Sequence, residues 1–203
     1  LARATRIVLP RTSDADYKCF LYLREFVRRG VATAIARVVL LDLLQSRGPD
    51  VPAYDVARTR ALLDELSSAS GRMPSADDLR REIARANAAR AAARRLVELR
   101  RTVPRVTGTD VFPLLAAFWE MEPDRYAEMA SDAASGIAAR PPLAGPRVLL
   151  TGAPVDGLTL HEAVESHGAV VVAEVGPWGS GAAGDDVRLD DDPVAALADK
   201  YRS

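Results

Sequence analysis

The stretch "RIVLPRTSDADYKCFLYLREFVRRGVATAIARVVLLD", from Arg6 to Asp42, decides the fold class. Its opening run, Arg6-Ile-Val-Leu-Pro10, is apolar and β-branched and predicts a strand. A polar turn leads into a helix from about Asp14 to Arg29, with Asp14 expected at the N-cap. Phe20, Leu23, Phe26 and Val27 fall at helical spacing and predict one apolar face, and Gly30 ends the helix. The run Arg37-Val-Val-Leu-Leu-Asp42 predicts a second, buried strand. Strand, helix and strand at this spacing make a βαβ unit with parallel pairing. A polar turn, Gln45-Ser-Arg-Gly-Pro-Asp50, closes it.

The pattern returns near the other end. Ala139-Arg-Pro-Pro-Leu-Ala-Gly-Pro146 reads as a linker, because its prolines and glycine disfavour a helix. Arg147-Val-Leu-Leu-Thr151 predicts a strand, Gly152 to Gly157 a turn, and the residues to about His167 a helix capped by Gly168. Ala169 to Glu174 predicts the partner strand. A Gly/Asp-rich loop from Val175 to Asp192 precedes a short helix from Pro193 to Tyr201. Between the two units, from Tyr54 to about Ala139, only helices are expected. They cover Val56–Ser68, a helix to about Arg101 opened by Ser75 and Asp78 at capping-box spacing, one opened by Thr107-Gly-Thr-Asp110, and one opened by Glu122-Pro-Asp124.

The fold class that follows is α/β, with parallel βαβ units (Rossmann-like halves) flanking a helical insert. The expected organisation is residues 1–53 as the end of an N-terminal α/β domain, 54–140 as the insert, and 141–203 as the start of a C-terminal α/β domain. Two strands are too few for a complete doubly wound sheet.

Composition narrows the chemistry. The 203 residues carry 27 basic and 28 acidic side chains, a formal net charge of −1, which argues against a general affinity for polyanions. The single cysteine excludes a disulfide framework or a zinc ribbon within the chain. No apolar run approaches the ~20 residues of a membrane span. There is no Walker loop, so a P-loop mode of nucleotide binding has no motif support. The arginines of the long helix (80, 81, 85, 94, 95, 100 and 101) spread around its wheel without interleaved aromatics, which argues against nucleic acid.

In parallel α/β sheets, ligands bind beyond the strand C-termini. That rule selects Ser13 and Asp14 after the first strand, Thr151 and Gly152 after the third, and Trp178, Gly179 and Ser180 after the fourth. Backbone N–H groups there suit phosphate or carboxylate. Leu79, Ile83, Ala86, Ala93 and Val97 predict one apolar face of the long helix, with Arg90 in its middle and Asn87 at its edge. A charge there either ties the insert to the α/β layer or reaches an anionic ligand. His161 and His167 lie six apart, the wrong spacing for joint metal binding, and are expected at solvent or at a helix end. Cys19 is expected as a small core residue, and Asp190 to Asp192 as a helix start.

Three segments in order carry a resemblance: "IVLPRTSDADYKCFLYLRE", "LRREIARANAARAAARRLVELR" with Asn87 and Arg90, and "PRVLLTGAPVDGLTLHEAVESHGAVVVAEVGPWGS". They resemble the 2-hydroxyacyl-CoA dehydratase and benzoyl-CoA reductase subunit family. The resemblance implies acyl-CoA binding, [4Fe–4S] clusters on cysteine thiolates, and radical chemistry fed by an activator. It implies paired related subunits and a cytoplasmic location. Family members are nearly twice this length, so the chain is expected to be the middle of one.

The first cluster-ligand position aligns with Ser13 and the second with Pro177, so the cluster cysteines are replaced. The expectation is therefore a non-redox partner that helps form an acyl-CoA site or a dimer interface. It holds no cofactor of its own, and any [4Fe–4S] cluster comes through a related cysteine-bearing subunit. The other reading is a CoA-thioester or small-anion binding module without catalysis.

Overall fold

The computed structural model describes residues 4–31, 36–152, 157–176, 179, 181, 184–189 and 192–202. In chain order its elements are β1 (Arg6–Pro10), α1 (Asp14–Arg28), β2 (Arg37–Leu41), α2 (Val51–Ser70), α3 (Ala76–Arg101), α4 (Gly108–Ala116), α5 (Pro123–Ala138), β3 (Arg147–Thr151), α6 (Thr159–Glu165), β4 (Val170–Val175) and α7 (Pro193–Arg202), with one 3₁₀ turn at Ala117–Trp119. The fold is α/β, with two parallel two-stranded sheets, β1 with β2 and β3 with β4.

The chain forms two compact units, Leu1–Arg81 with Val187–Ser203, and Glu82–Asp186. In the first, β1 and β2 pair in continuous register from Arg6 opposite Arg37 to Pro10 opposite Leu41. Helix α1 packs on both strands, and α2 packs on β2 and α7. The N-cap of α1 is Ser13 rather than Asp14: the Ser13 hydroxyl accepts from the Asp16 N–H, and Asp14 is the first helical residue. A hydroxyl on an extended residue reaches that donor, whereas Asp14 has already entered the helix. The apolar face of α1 is also shallower than its spacing predicts. Phe20 and Leu23 are half-buried, Phe26 and Val27 are exposed, and no residue of the helix is fully buried. Cys19 is exposed rather than a core residue, because it lies on the outer side of this lightly covered helix.

Helix α2 begins at Val51, earlier than expected, because Pro52 occupies a first-turn position that lacks a backbone partner anyway. Helix α3 opens with the anticipated capping box. The Ser75 hydroxyl accepts from the Asp78 N–H at 3.1 Å, and the Asp78 carboxylate accepts from the Ser75 N–H at 3.0 Å. At α7, the Asp192 carboxylate accepts from the Val194 N–H.

The second unit holds the denser core. Ala89, Ala92, Ala93 and Leu96 of α3 pack with Val106, Val111 and Leu115, and with Tyr126, Ala130, Ala134 and Ile137 of α5. Alanines on α3 and α5 pack around the large Tyr126 ring, which Phe118 meets edge-on. The buried face of α3 therefore runs through Ala89, Ala93, Leu96 and Arg100. Of the face expected from sequence, Ile83 and Ala93 are buried, while Leu79, Ala86 and Val97 are half-exposed. Strand β4 is buried at Val170, Val171, Val172 and Glu174, while β3 alternates and breaks register between Val148 and Leu149. Gly108 allows α4 to approach β4: a Cβ there would lie 2.7 Å from Val171 Cβ and 2.9 Å from His161 Cδ2.

Candidate functional site

In the first unit, the residues beyond β1 and β2 form a surface cluster. Ser13 and Asp14 are both exposed. The Asp16 carboxylate accepts hydrogen bonds from the Thr12 hydroxyl at 2.5 Å and the Ser13 hydroxyl at 2.8 Å. These bonds, that of Thr12 foremost, hold the Asp16 carboxyl below its ordinary range. Arg11 reaches Asp42 at 3.3 Å and lies 4.6 Å over the Tyr17 ring. The Ser13 hydroxyl thus serves both the α1 cap and Asp16, and two carboxylates stand in the first turn. That charge suits a donor or a cation better than a phosphate. A groove of about 480 Å³, lined by Thr5, Arg6, Leu63, Leu66 and Ser67 among others, lies at the start of β1, the strand end opposite Ser13.

In the second unit, Thr151 ends β3 opposite Val175 and is exposed. Gly152 follows at φ +137, a conformation that favours glycine, and a Cβ there would meet open space. Beyond β4, Gly179 sits so close to Glu174 that a Cβ would lie 2.5 Å from its Oε2. Pro177, Trp178 and Ser180 lie outside the described residues. Arg90 is 8% exposed, and its guanidinium donates to Asn87 Oδ1 at 3.0 Å. Burial of Arg90 matches its place on the α3 wheel.

Behind the β4 end lies a buried polar network that sequence reasoning missed. Arg100 (0% exposed) donates to both oxygens of Glu174 (5% exposed), at 2.5 and 2.7 Å. His161, also 0% exposed, places Nε2 2.6 Å from Glu174 Oε1. A carboxylate only accepts, so Nε2 carries the proton in that bond. His161 is therefore a buried core residue, where solvent or a helix end was expected, and the Phe112 ring lies tilted by 40° against it with centroids 4.9 Å apart. His167 is exposed, with Nδ1 2.8 Å from the Ala163 carbonyl, as expected of a helix end. Burial pushes the Glu174 carboxyl up, but the Arg100 hydrogen bonds and charge, with His161, hold it below its ordinary range. One signal was present in the sequence. Arg100 stands four residues after Leu96 and seven after Ala93, on the face those residues bury.

A second carboxylate joins three elements. Glu165 accepts from the N–H groups of Gly108 (2.6 Å), Thr109 (3.0 Å) and Val171 (3.0 Å), and from the Thr109 hydroxyl (2.6 Å). It fills the N-terminus of α4 with negative charge and closes that end to an external anion. Burial raises its carboxyl, while these bonds, led by Thr109, lower it further and win.

Among the described residues, no three histidine, cysteine, aspartate or glutamate side chains gather as a metal site. No helix among them is long and apolar enough to cross a membrane. A four-thiolate cluster does not fit the donors described: Cys19 is the one thiol, and the Ser13 hydroxyl is committed to the α1 cap. A search of curated proteins returns no match to the chain. The model of one family, 2-hydroxyglutaryl-CoA dehydratase, D-component, matches residues 4–203, and the chain belongs to that family.

Proposed function

We propose that this chain is a non-redox component of a 2-hydroxyacyl-CoA dehydratase-like assembly. It helps to form an acyl-CoA site beside a related subunit that carries the cluster cysteines. The observation that carries this reading is Ser13. It stands where the family resemblance puts a cluster thiolate, and its hydroxyl is bound to the Asp16 N–H and carboxylate. A neutral serine oxygen lacks the charge that stabilises cluster iron. The open backbone at Gly152, and the glycine stretch after β4, are the parts this reading assigns to the ligand. Backbone N–H groups without an intervening Cβ can approach thioester and phosphate oxygens closely.

The test is anaerobic reconstitution, followed by iron and acid-labile sulfide per chain, alone and with a co-purified cysteine-bearing relative. The expected result is iron only in the presence of that relative. Stoichiometric iron and sulfide on the isolated chain would overturn the reading, as would an assembly that binds acyl-CoA identically without this chain.

A further inference from the structure

We infer that the outward face of α1 is a docking surface for a second copy of this chain, with the two α1 helices packed antiparallel about a two-fold axis near Tyr22. The inference stands apart from the acyl-CoA reading, because it concerns only the outer surface of the first unit.

Along α1, Ala15, Cys19, Tyr22 and Phe26 are spaced four, three and four residues apart. That spacing puts them in one stripe, the seam by which a helix faces a partner helix. All four are exposed, Tyr22 at 64% and Phe26 at 45%. The other aromatic rings of the helix are covered. Phe20 stacks with Tyr17, Arg24 lies over the Phe20 ring, and Arg11 lies over the Tyr17 ring. Tyr22 and Phe26 have no such ring or cation contact among the described residues. Apolar side chains continuous along an otherwise charged helix mark an interaction face.

The charges beside the stripe decide the occupant. Lys18 and Glu25 are seven residues apart and border the same edge of it. Asp14 and Asp16 stand in the first turn, and Arg28 and Arg29 close the helix, so its start is acidic and its end basic. Neither Asp14 nor Lys18 has an ion-pair partner among the described residues. An antiparallel second copy meets this pattern with its complement. Lys18 lies across from Glu25, Asp14 across from Arg29, and Cys19 across from Phe26, each twice by symmetry. Glu25 also holds Arg28 and Arg29 of its own helix at 2.6 and 2.7 Å, which fixes its carboxylate at that edge. A parallel copy would set acidic start beside acidic start and basic end beside basic end. One helix of 15 residues is a small contact, so the dimer is weak, with a Kd on the order of 10–100 μM.

The test is sedimentation equilibrium on the full chain from about 5 to about 200 μM, with circular dichroism as the check on folding. The wild-type chain is expected to associate reversibly to a dimer, and Phe26→Glu to stay folded and monomeric. Lys18→Glu and Glu25→Lys should each be monomeric alone, because each sets like charges across the axis. An equimolar mixture of the two should dimerise, because both cross-axis pairs are then opposite in sign. Cys19 should not form an intermolecular disulfide, since the two copies lie about 9 Å apart along the antiparallel axes, past the ~7 Å reach of a disulfide. Tyr22→Cys in a Cys19→Ser background should cross-link on mild oxidation. A monomer throughout the range would overturn the inference, as would a dimer that Phe26→Glu leaves intact. So would a mixture of the charge variants that stays monomeric, or ready cross-linking through Cys19, which signals a parallel pair. Capture of a co-purified cysteine-bearing relative, lost in Phe26→Glu, with no self-association would give the face to that relative and overturn the second-copy assignment.

Discussion

Glu174 shows how one residue governs a region. Its charge is removed from water and is tolerated because Arg100 offers two parallel donors and His161 a third. Breaking a buried ion pair by removing one partner costs more than forming it gains, since the other charge remains buried. Glu174→Gln should therefore destabilise the protein by about 3–5 kcal/mol in urea unfolding. The double variant Arg100→Met with Glu174→Gln should recover most of that loss, because no unpaired charge is left. A double variant as unstable as the single one would mean that lost packing, not stranded charge, dominates. Tyr126 presents the opposite case. Its ring is 0% exposed and its hydroxyl has no partner among the described residues. Burial alone pushes its phenol up to about 12. Tyr126→Phe removes an unsatisfied group while keeping the edge-to-face contact with Phe118, so its unfolding free energy should match the parent within ~0.5 kcal/mol or exceed it. A loss above ~1 kcal/mol would show that the hydroxyl is satisfied in solution.

Elements of the chain differ in how far they can be read from their own residues. The α3 start depends on Ser75 and Asp78, three apart, and the reciprocal bonds form as the spacing requires. Ser75→Ala should cost about 1 kcal/mol, measured by thermal or urea unfolding, and Ser75→Thr much less. The four strands and the α3 end at Arg101 were likewise legible, because apolar runs and punctuating Gly or Pro are local signals. The buried polar groups were not. Glu174 lies 74 residues from Arg100 and 13 from His161, so no local pattern joins them. His161 looked like a surface residue only because its partner was out of view. Cys19 looked like core because its helix has an apolar face, but that face is barely covered in its own unit. Of the candidate site, the strand ends at Ser13, Thr151 and Gly152 followed from a topological rule. The pairing of Arg100 on α3 with Glu174 on β4 needed three-dimensional contacts. Wheel position alone still placed Arg90 correctly in the interior.

Across the whole molecule, the response to acid should be uneven. Glu165 and Glu174 both have carboxyls held below the ordinary 4.5, and both belong to the unit Glu82–Asp186. A depressed folded-state value means that each contributes its full stabilisation above about pH 4.5 and loses it as pH falls through the folded value. The other unit also has lowered carboxyls, at Asp16, Glu25 and Asp78, but these sit at the surface, where solvent screens their partners and little stability is linked to them. Between pH 7 and 5 these groups should leave the protein's stability flat. Below pH 4.5 the unit with α4, α6 and β4 should loosen first. Native-state hydrogen exchange at pH 6 and pH 3.5, corrected for intrinsic rates, reads the two units separately. Protection is expected to fall more in α4 and β4 than in α2 and α7. Glu165→Gln should lower protection of α4 at pH 6 and shrink the difference between the two pH values. An equal loss of protection in both units would show that acid acts through carboxylates other than these two, and a pH dependence that Glu165→Gln leaves intact would show that Glu165 is not the group through which it acts.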